Sequence, residues 1–115
     1  ETKYLDPIEI AQDISRDLKD KEACDLVICL SHLGYNYKNS DKISDLKLAA
    51  ATKDIDLIIG GHTHTFLTKP TLVKNLTNEN VLVNQVGAYG LNLGRVDFYF
   101  NEQNEKQTAD KNIIL

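Results

Sequence analysis

Three histidines, His32, His62 and His64, carry the chemistry that can be read from this chain. No other histidine occurs in its 115 residues. Each lies just beyond a short apolar run: Leu26 to Leu30 leads into Ser31-His32, and Leu57 to Ile59 leads into Gly60-Gly61-His62-Thr63-His64. Neutral imidazole is a good ligand for Zn²⁺, Mn²⁺, Fe or Ni. Two histidines one residue apart on a regular strand face opposite ways. In a loop entered through Gly60-Gly61, whose glycines permit unusual backbone angles, each can serve a different ion of a close pair. Two ions about 3.5–4 Å apart are a common device of phosphoryl chemistry. Taken singly, a histidine after a strand is more often a hydrogen-bonded loop residue. It is the distribution of all three at two matched strand ends that points to a metal. Spacing alone leaves the metal and the reaction open.

The elements that must position these residues follow from the flanking pattern. Asp6-Pro7 opens a helix, with Asp as N-cap and Pro at the first helical position. Ile8, Ala11, Ile14 and Leu18 recur at helical spacing until about Lys21. Residues 25–31 form a continuous apolar run too short for a helix, the pattern of a strand buried on both faces. Residues 32–41 (HLGYNYKNSD) read as a loop, and a second helix runs from about Asp41 through Ile43, Leu46, Leu48 and Ala50. Residues 56–61 repeat the Asp-led apolar run. This alternation implies two βα units with parallel pairing in an α/β fold, and ligands of such sheets bind at the carboxyl ends of the strands.

Beyond Pro70 the pattern changes. Residues 71–74, 81–86 and 94–100 read as strands, with Asn78 to Asn80 as the turn between the first two. Val96, Phe98 and Phe100 alternate with Arg95, Asp97 and Tyr99, as in a half-exposed antiparallel strand. Residues 101–111 read as a charged turn, and Asn112 to Leu115 as a last strand cut short. The Gly87-Ala88-Tyr89-Gly90 segment reads as a Gly-bounded turn, and Tyr35 and Tyr37 as packing or rim residues of the loop after His32.

Composition bounds the rest. The chain suffices for one globular domain. With 42% hydrophobic and 26% charged residues it reads as an ordinary folded domain, and a net charge of -4 without any basic run argues against a nucleic-acid partner. No run is long and apolar enough to span a membrane. Cys24 and Cys29 are five apart, roughly 16 Å along a strand, beyond disulfide reach, and are expected as free thiols.

Residues 25–35 (DLVICLSHLGY), 56–65 (DLIIGGHTHT) and 83–96 (VNQVGAYGLNLGRV) resemble the second half of the catalytic domain of the 5'-nucleotidase family of calcineurin-like metallophosphoesterases. The resemblance covers roughly residues 4 to 101. It implies that residues 1–115 are a single incomplete domain, half of a four-layer sandwich of two mixed sheets. It further implies two divalent metal ions (Mn, Zn, Fe or similar) in the intact domain, with His32 and His62 on one and His64 on the other. The substrate expected for the intact enzyme is a nucleoside 5'-monophosphate or related nucleotide. The D-x-H, G-D-x-x-D and G-N-H-[DE] motifs that the family carries upstream are not in this chain. The isolated chain is therefore expected to be inactive, with its open apolar sheet pairing with the missing N-terminal half or with a second copy. Relatives of this kind are exported to the periplasm or cell surface. Rival readings are another two-metal esterase, thiosulfohydrolase-like, and a non-catalytic binding or assembly module.

Overall fold

The computed structural model describes the backbone of residues 1–114 and the side chains of residues 1–107. The first helix, α1 (Pro7–Asp20), starts where its cap chemistry places it: Asp6 Oδ1 accepts from the N–H of Ile8 at 2.8 Å and of Glu9 at 3.4 Å. The second, α2 (Asp45–Ala51), begins about four residues later than the sequence pattern predicts. Ser44, not Asp41, is its N-cap, accepting from Lys47 N–H, and Ser40 to Ile43 stay irregular because Lys47 Nζ ties down the carbonyls of Ser40 and Lys42.

Four strands make one mixed sheet in the order β1-β2-β4-β3: β1 (Ile28–Leu30), β2 (Leu57–Ile59), β3 (Thr71–Lys74) and β4 (Asn80–Asn84). β1, β2 and β4 run parallel, in the register Cys29–Ile58–Val83, and β3 pairs antiparallel with β4. The hairpin between β3 and β4 turns at Asn78, whose φ is +63°. Asn75 Oδ1 braces it by accepting from Thr77 and Glu79 N–H. A separate antiparallel ribbon joins β5 (Asn92–Phe100) and β6 (Lys106–Ile114). Here the expected turn over residues 101–111 shrinks to Asn101–Glu105, closed by Asn101 N–H to Glu105 O at 3.1 Å. The polar stretch from Lys106 is strand all the same, paired residue for residue with β5. Of the strand expected at its end, Leu115 lies outside the described residues.

One face of the sheet carries the core. Ile58, Val81 and Val83 pack with Leu48, Ala49 and Ile55, and Ile8, Ala11, Cys29 and Val73 close around them. Interior burial on both faces, expected for the two apolar runs, is not what the structure has. Ile28 is 47% exposed, Leu30 80% and Ile59 46%. β1 is an edge strand, and only a groove shared with Leu93, Val96 and Phe98 of β5 shields this second face. The same openness leaves Ile14 of α1 exposed, although its spacing marks it for the core. Cys24 and Cys29 are free thiols, as their spacing requires. No helix among the described residues is long and apolar enough to cross a membrane.

Candidate functional site

The carboxyl ends of β1 and β2 lie side by side, Leu30 opposite Ile59, so the residues after them emerge at one edge of the sheet. Ser31 extends the pairing one step, donating its N–H to Ile59 O at 2.9 Å. His32 and His62 follow, and their rings meet edge to face with centroids 5.2 Å apart. His64 meets Tyr89 edge to face, 5.8 Å between centroids. Among the described residues no hydrogen bond is made to any of the three imidazoles, and no three His, Cys, Asp or Glu side chains converge as a metal group. The chain thus presents two neighbouring nitrogen donors and a third apart from them. As a donor set, two unpartnered imidazoles fit a divalent ion that takes its remaining ligands from elsewhere.

The loop achieves this by a route different from the one the glycines lead one to expect. Positive φ falls on His62 (+69°) and His64 (+50°), while neither Gly60 nor Gly61 adopts it. A left-handed non-glycine residue costs about 1–2 kcal/mol, so two of them, one residue apart, are held by their surroundings. The glycines serve close approach instead. A Cβ on Gly61 would stand 3.0 Å from His32 Nδ1, and one on Gly60 would overlap the Asp45 carboxylate.

What holds the loop is Gln85, only 2% exposed and not singled out by sequence reasoning. Its Nε2 donates to Gly61 O at 2.7 Å, and its Oε1 accepts from Thr63 Oγ1 at 3.1 Å and from the Thr65 N–H. Thr63 Oγ1 also accepts from Tyr35 N–H at 3.0 Å, which binds the loop after β1 to the loop after β2. Tyr35 Oη pairs with Thr71 Oγ1, and Tyr37 Oη donates to Leu33 O, so both tyrosines are packing residues here. Gln85 follows β4 directly, but a lone Gln in an apolar strand has no sequence signal of its own.

Asp45 also escapes a reading by motif. It is fully buried, and its Oδ1 accepts from Ser31 Oγ at 2.5 Å. Burial pushes its carboxyl above the ordinary carboxylate range, while the Ser31 hydrogen bond and the nearby His32 pull the other way by less. Burial raises the Cys29 thiol too, with Asp45 adding to it.

The chain is similar in sequence and in fold to known proteins. The chain is 41% identical over 112 residues to a trifunctional nucleotide phosphoesterase of Bacillus subtilis, covering 97% of this chain and 7% of that protein. It is 30% identical to a 5'-nucleotidase of Vibrio cholerae, over 84% of this chain and 21% of the relative. No family model matches it. Its fold superposes on the 5'-nucleotidase precursor of Thermus thermophilus with a TM-score of 0.81 at 31% identity, covering 96% of this chain and 23% of that one. On the NAD nucleotidase of Haemophilus influenzae the TM-score is 0.79 at 26% identity, over 98% of this chain and 24% of the other. The chain therefore spans under a quarter of the length of each of these proteins. By sequence and by fold, it is a segment of the 5'-nucleotidase family of nucleotide phosphoesterases.

Proposed function

We propose that this chain supplies part of the metal centre of an enzyme that removes phosphate from nucleoside 5'-monophosphates or related nucleotides. The observation that carries the reading is the His32–His62 pair at 5.2 Å, at the ends of adjacent parallel strands. His32 and His62 hold one divalent ion and His64 contributes to a second, completed by ligands outside this chain. Two such ions (Mn, Zn, Fe or similar) neutralise charge developing on a phosphate during hydrolysis. The protein's own contribution is orientation. Gln85 and Thr63 lock the backbone that aims His62 and His64, and Gly61 lets the His32 ring lie against the second loop. Among the described residues no carboxylate converges with these nitrogen donors, which supports the reading that the isolated chain is inactive.

The nucleotide substrate rests on relatives named as nucleotidases, nucleotide phosphoesterases and apyrases. Export is supported by relatives named as snake venom 5'-nucleotidases and as a 5'-nucleotidase precursor. The open apolar face supports pairing with the rest of such a domain.

The test is a titration of the chain with Mn²⁺ and Zn²⁺, wild type against a His62→Ala/His64→Ala double variant. Saturable binding lost in the double variant is the expected result. Binding of equal strength in both would sink the assignment of these histidines.

A further inference from the structure

A single buried carboxylate touches both segments that carry the paired histidines. Asp45, at the start of α2, donates its backbone N–H to Gly34 O at 2.8 Å, which fixes the helix start against the loop after β1. Its Oδ1 takes the Ser31 hydroxyl proton at 2.5 Å. Ser31 Oγ in turn accepts from Leu33 N–H at 3.1 Å, so that hydroxyl brackets His32 from both sides. The other oxygen, Oδ2, is buried without any hydrogen-bond partner. It lies against Gly60, where the space of a missing Cβ is filled by the carboxylate itself. One side chain therefore bears on the approach to His32 through Ser31 and on the approach to His62 through Gly60.

Burying a carboxyl with an orphan oxygen is a cost to folding. Among the described residues no cation is paired with it, and its one side-chain hydrogen bond comes from Ser31. Residues outside the ligand shell orient metal-bound histidines, and their loss weakens metal affinity.

We propose that Asp45 is the positioning residue of the histidine pair: it sets the spacing of His32 and His62 through Ser31 and Gly60. The inference rests on reading that pair as metal ligands. It does not place Asp45 on the metal.

The experiment compares wild type, Asp45→Asn, Asp45→Ala and His62→Ala in the 115-residue chain, by Zn²⁺ calorimetry and by the metal-free nuclear Overhauser contact between the His32 and His62 rings. Asp45→Asn keeps the side-chain volume and an acceptor for Ser31, so it guards against loss of the fold. Zn²⁺ binding about 10–100-fold weaker in Asp45→Ala and largely restored in Asp45→Asn, with the chain still folded, is the expected result. Zn²⁺ binding at wild-type strength in a folded Asp45→Ala, with His62→Ala losing it, overturns the role of Asp45 and leaves the histidine site standing. If wild type binds no Zn²⁺, the metal reading fails for this chain and the ring contact decides the positioning claim. Its loss in a folded Asp45→Ala supports the claim, and its persistence there overturns it.

Discussion

The two ends of β2 each carry a buried aspartate, and the two are satisfied in opposite ways. At the amino end, Asp56 has every acceptor used. Lys106 binds one oxygen, and Lys19 (2.9 Å) and the Val27 N–H (2.7 Å) bind the other. Burial pushes its carboxyl up, but the hydrogen bonds from Lys106, Val27 and Lys19 outweigh it and hold the group below the ordinary carboxylate range. At the carboxyl end, Asp45 has one strong hydrogen bond, one orphan oxygen and a carboxyl pushed upward. A paired carboxylate of the first kind fastens a structure: Asp56 ties α1 and the β5–β6 ribbon to the sheet, with Asn104 to Asp25 as a second tie at 2.9 Å. The second kind is an expense, and it sits beside the histidines. Left-handed backbone falls at both ends, on Asp54 near the amino end and on His62 and His64 at the carboxyl end. Polar groups thus stabilise the fold at one edge of the sheet and shape a site at the other.

The contrast is open to direct attack. Its largest effect is expected from Asp56→Ala, which leaves two lysines facing a half-buried void and removes the cap on Val27. Breaking a buried pair costs about 3–5 kcal/mol. Because both lysines reach water, with side chains 25% and 28% exposed, the loss should lie near the lower end, read as a fall in the urea midpoint. A loss under about 1 kcal/mol would mean that Asp56 behaves as a surface pair and the comparison is false.

Next comes Gly60→Ala. The new methyl must displace the Asp45 carboxylate or the Gln85 amide, whose Nε2 lies 3.2 Å from the Cβ position. Overpacking of this kind costs about 1–3 kcal/mol. In an Asp45→Ala background most of that cost should vanish, so the double-mutant cycle should show coupling. Additive effects would place the clash elsewhere.

The pH dependence sharpens the contrast further. The folded value of Asp56 lies below its unfolded one, so the unfolded chain takes up protons first as pH falls. The stability Asp56 contributes is present above the ordinary carboxylate range and is lost as pH drops through the folded value. Asp56→Asn should flatten the acid limb of the unfolding midpoint against pH. An unchanged acid limb would assign the effect to other carboxylates.

The smallest effect on stability is expected at the open face. Leu30→Lys replaces a side chain already 80% exposed and should shift stability by no more than about 0.5 kcal/mol. It should nevertheless weaken self-association in sedimentation velocity, since the apolar edge of β1 is a ready pairing surface. Equal sedimentation of wild type and variant across concentrations would remove this face as a contact.

Much of the fold was legible in advance because its signals are local. Asp6-Pro7 caps a helix wherever it lies, and an apolar run of the length of residues 25–31 has few alternatives to a buried strand. The parallel pairing of β1 and β2 follows from the helix between them. What the pattern missed was decided by neighbours. Ile28, Leu30 and Ile14 carry the composition of buried residues, yet they stay open because the described residues cover them only in part. Lys106 to Lys111 looks like a turn because its strand character comes from β5 across the ribbon.

At the site, the division is the same. Imidazole chemistry and the strand-end placement of His32, His62 and His64 are properties of residue type and spacing, and the sequence by itself determined them. Which two rings meet, that the unusual φ angles fall on His62 and His64 and not on Gly60 and Gly61, and that Asp45 and Gln85 stand behind the loops were decided only by the tertiary structure. The physical reason is that hydrogen bonds and close contacts between residues 14 to 24 positions apart depend on how the strands are laid side by side, which no local pattern encodes.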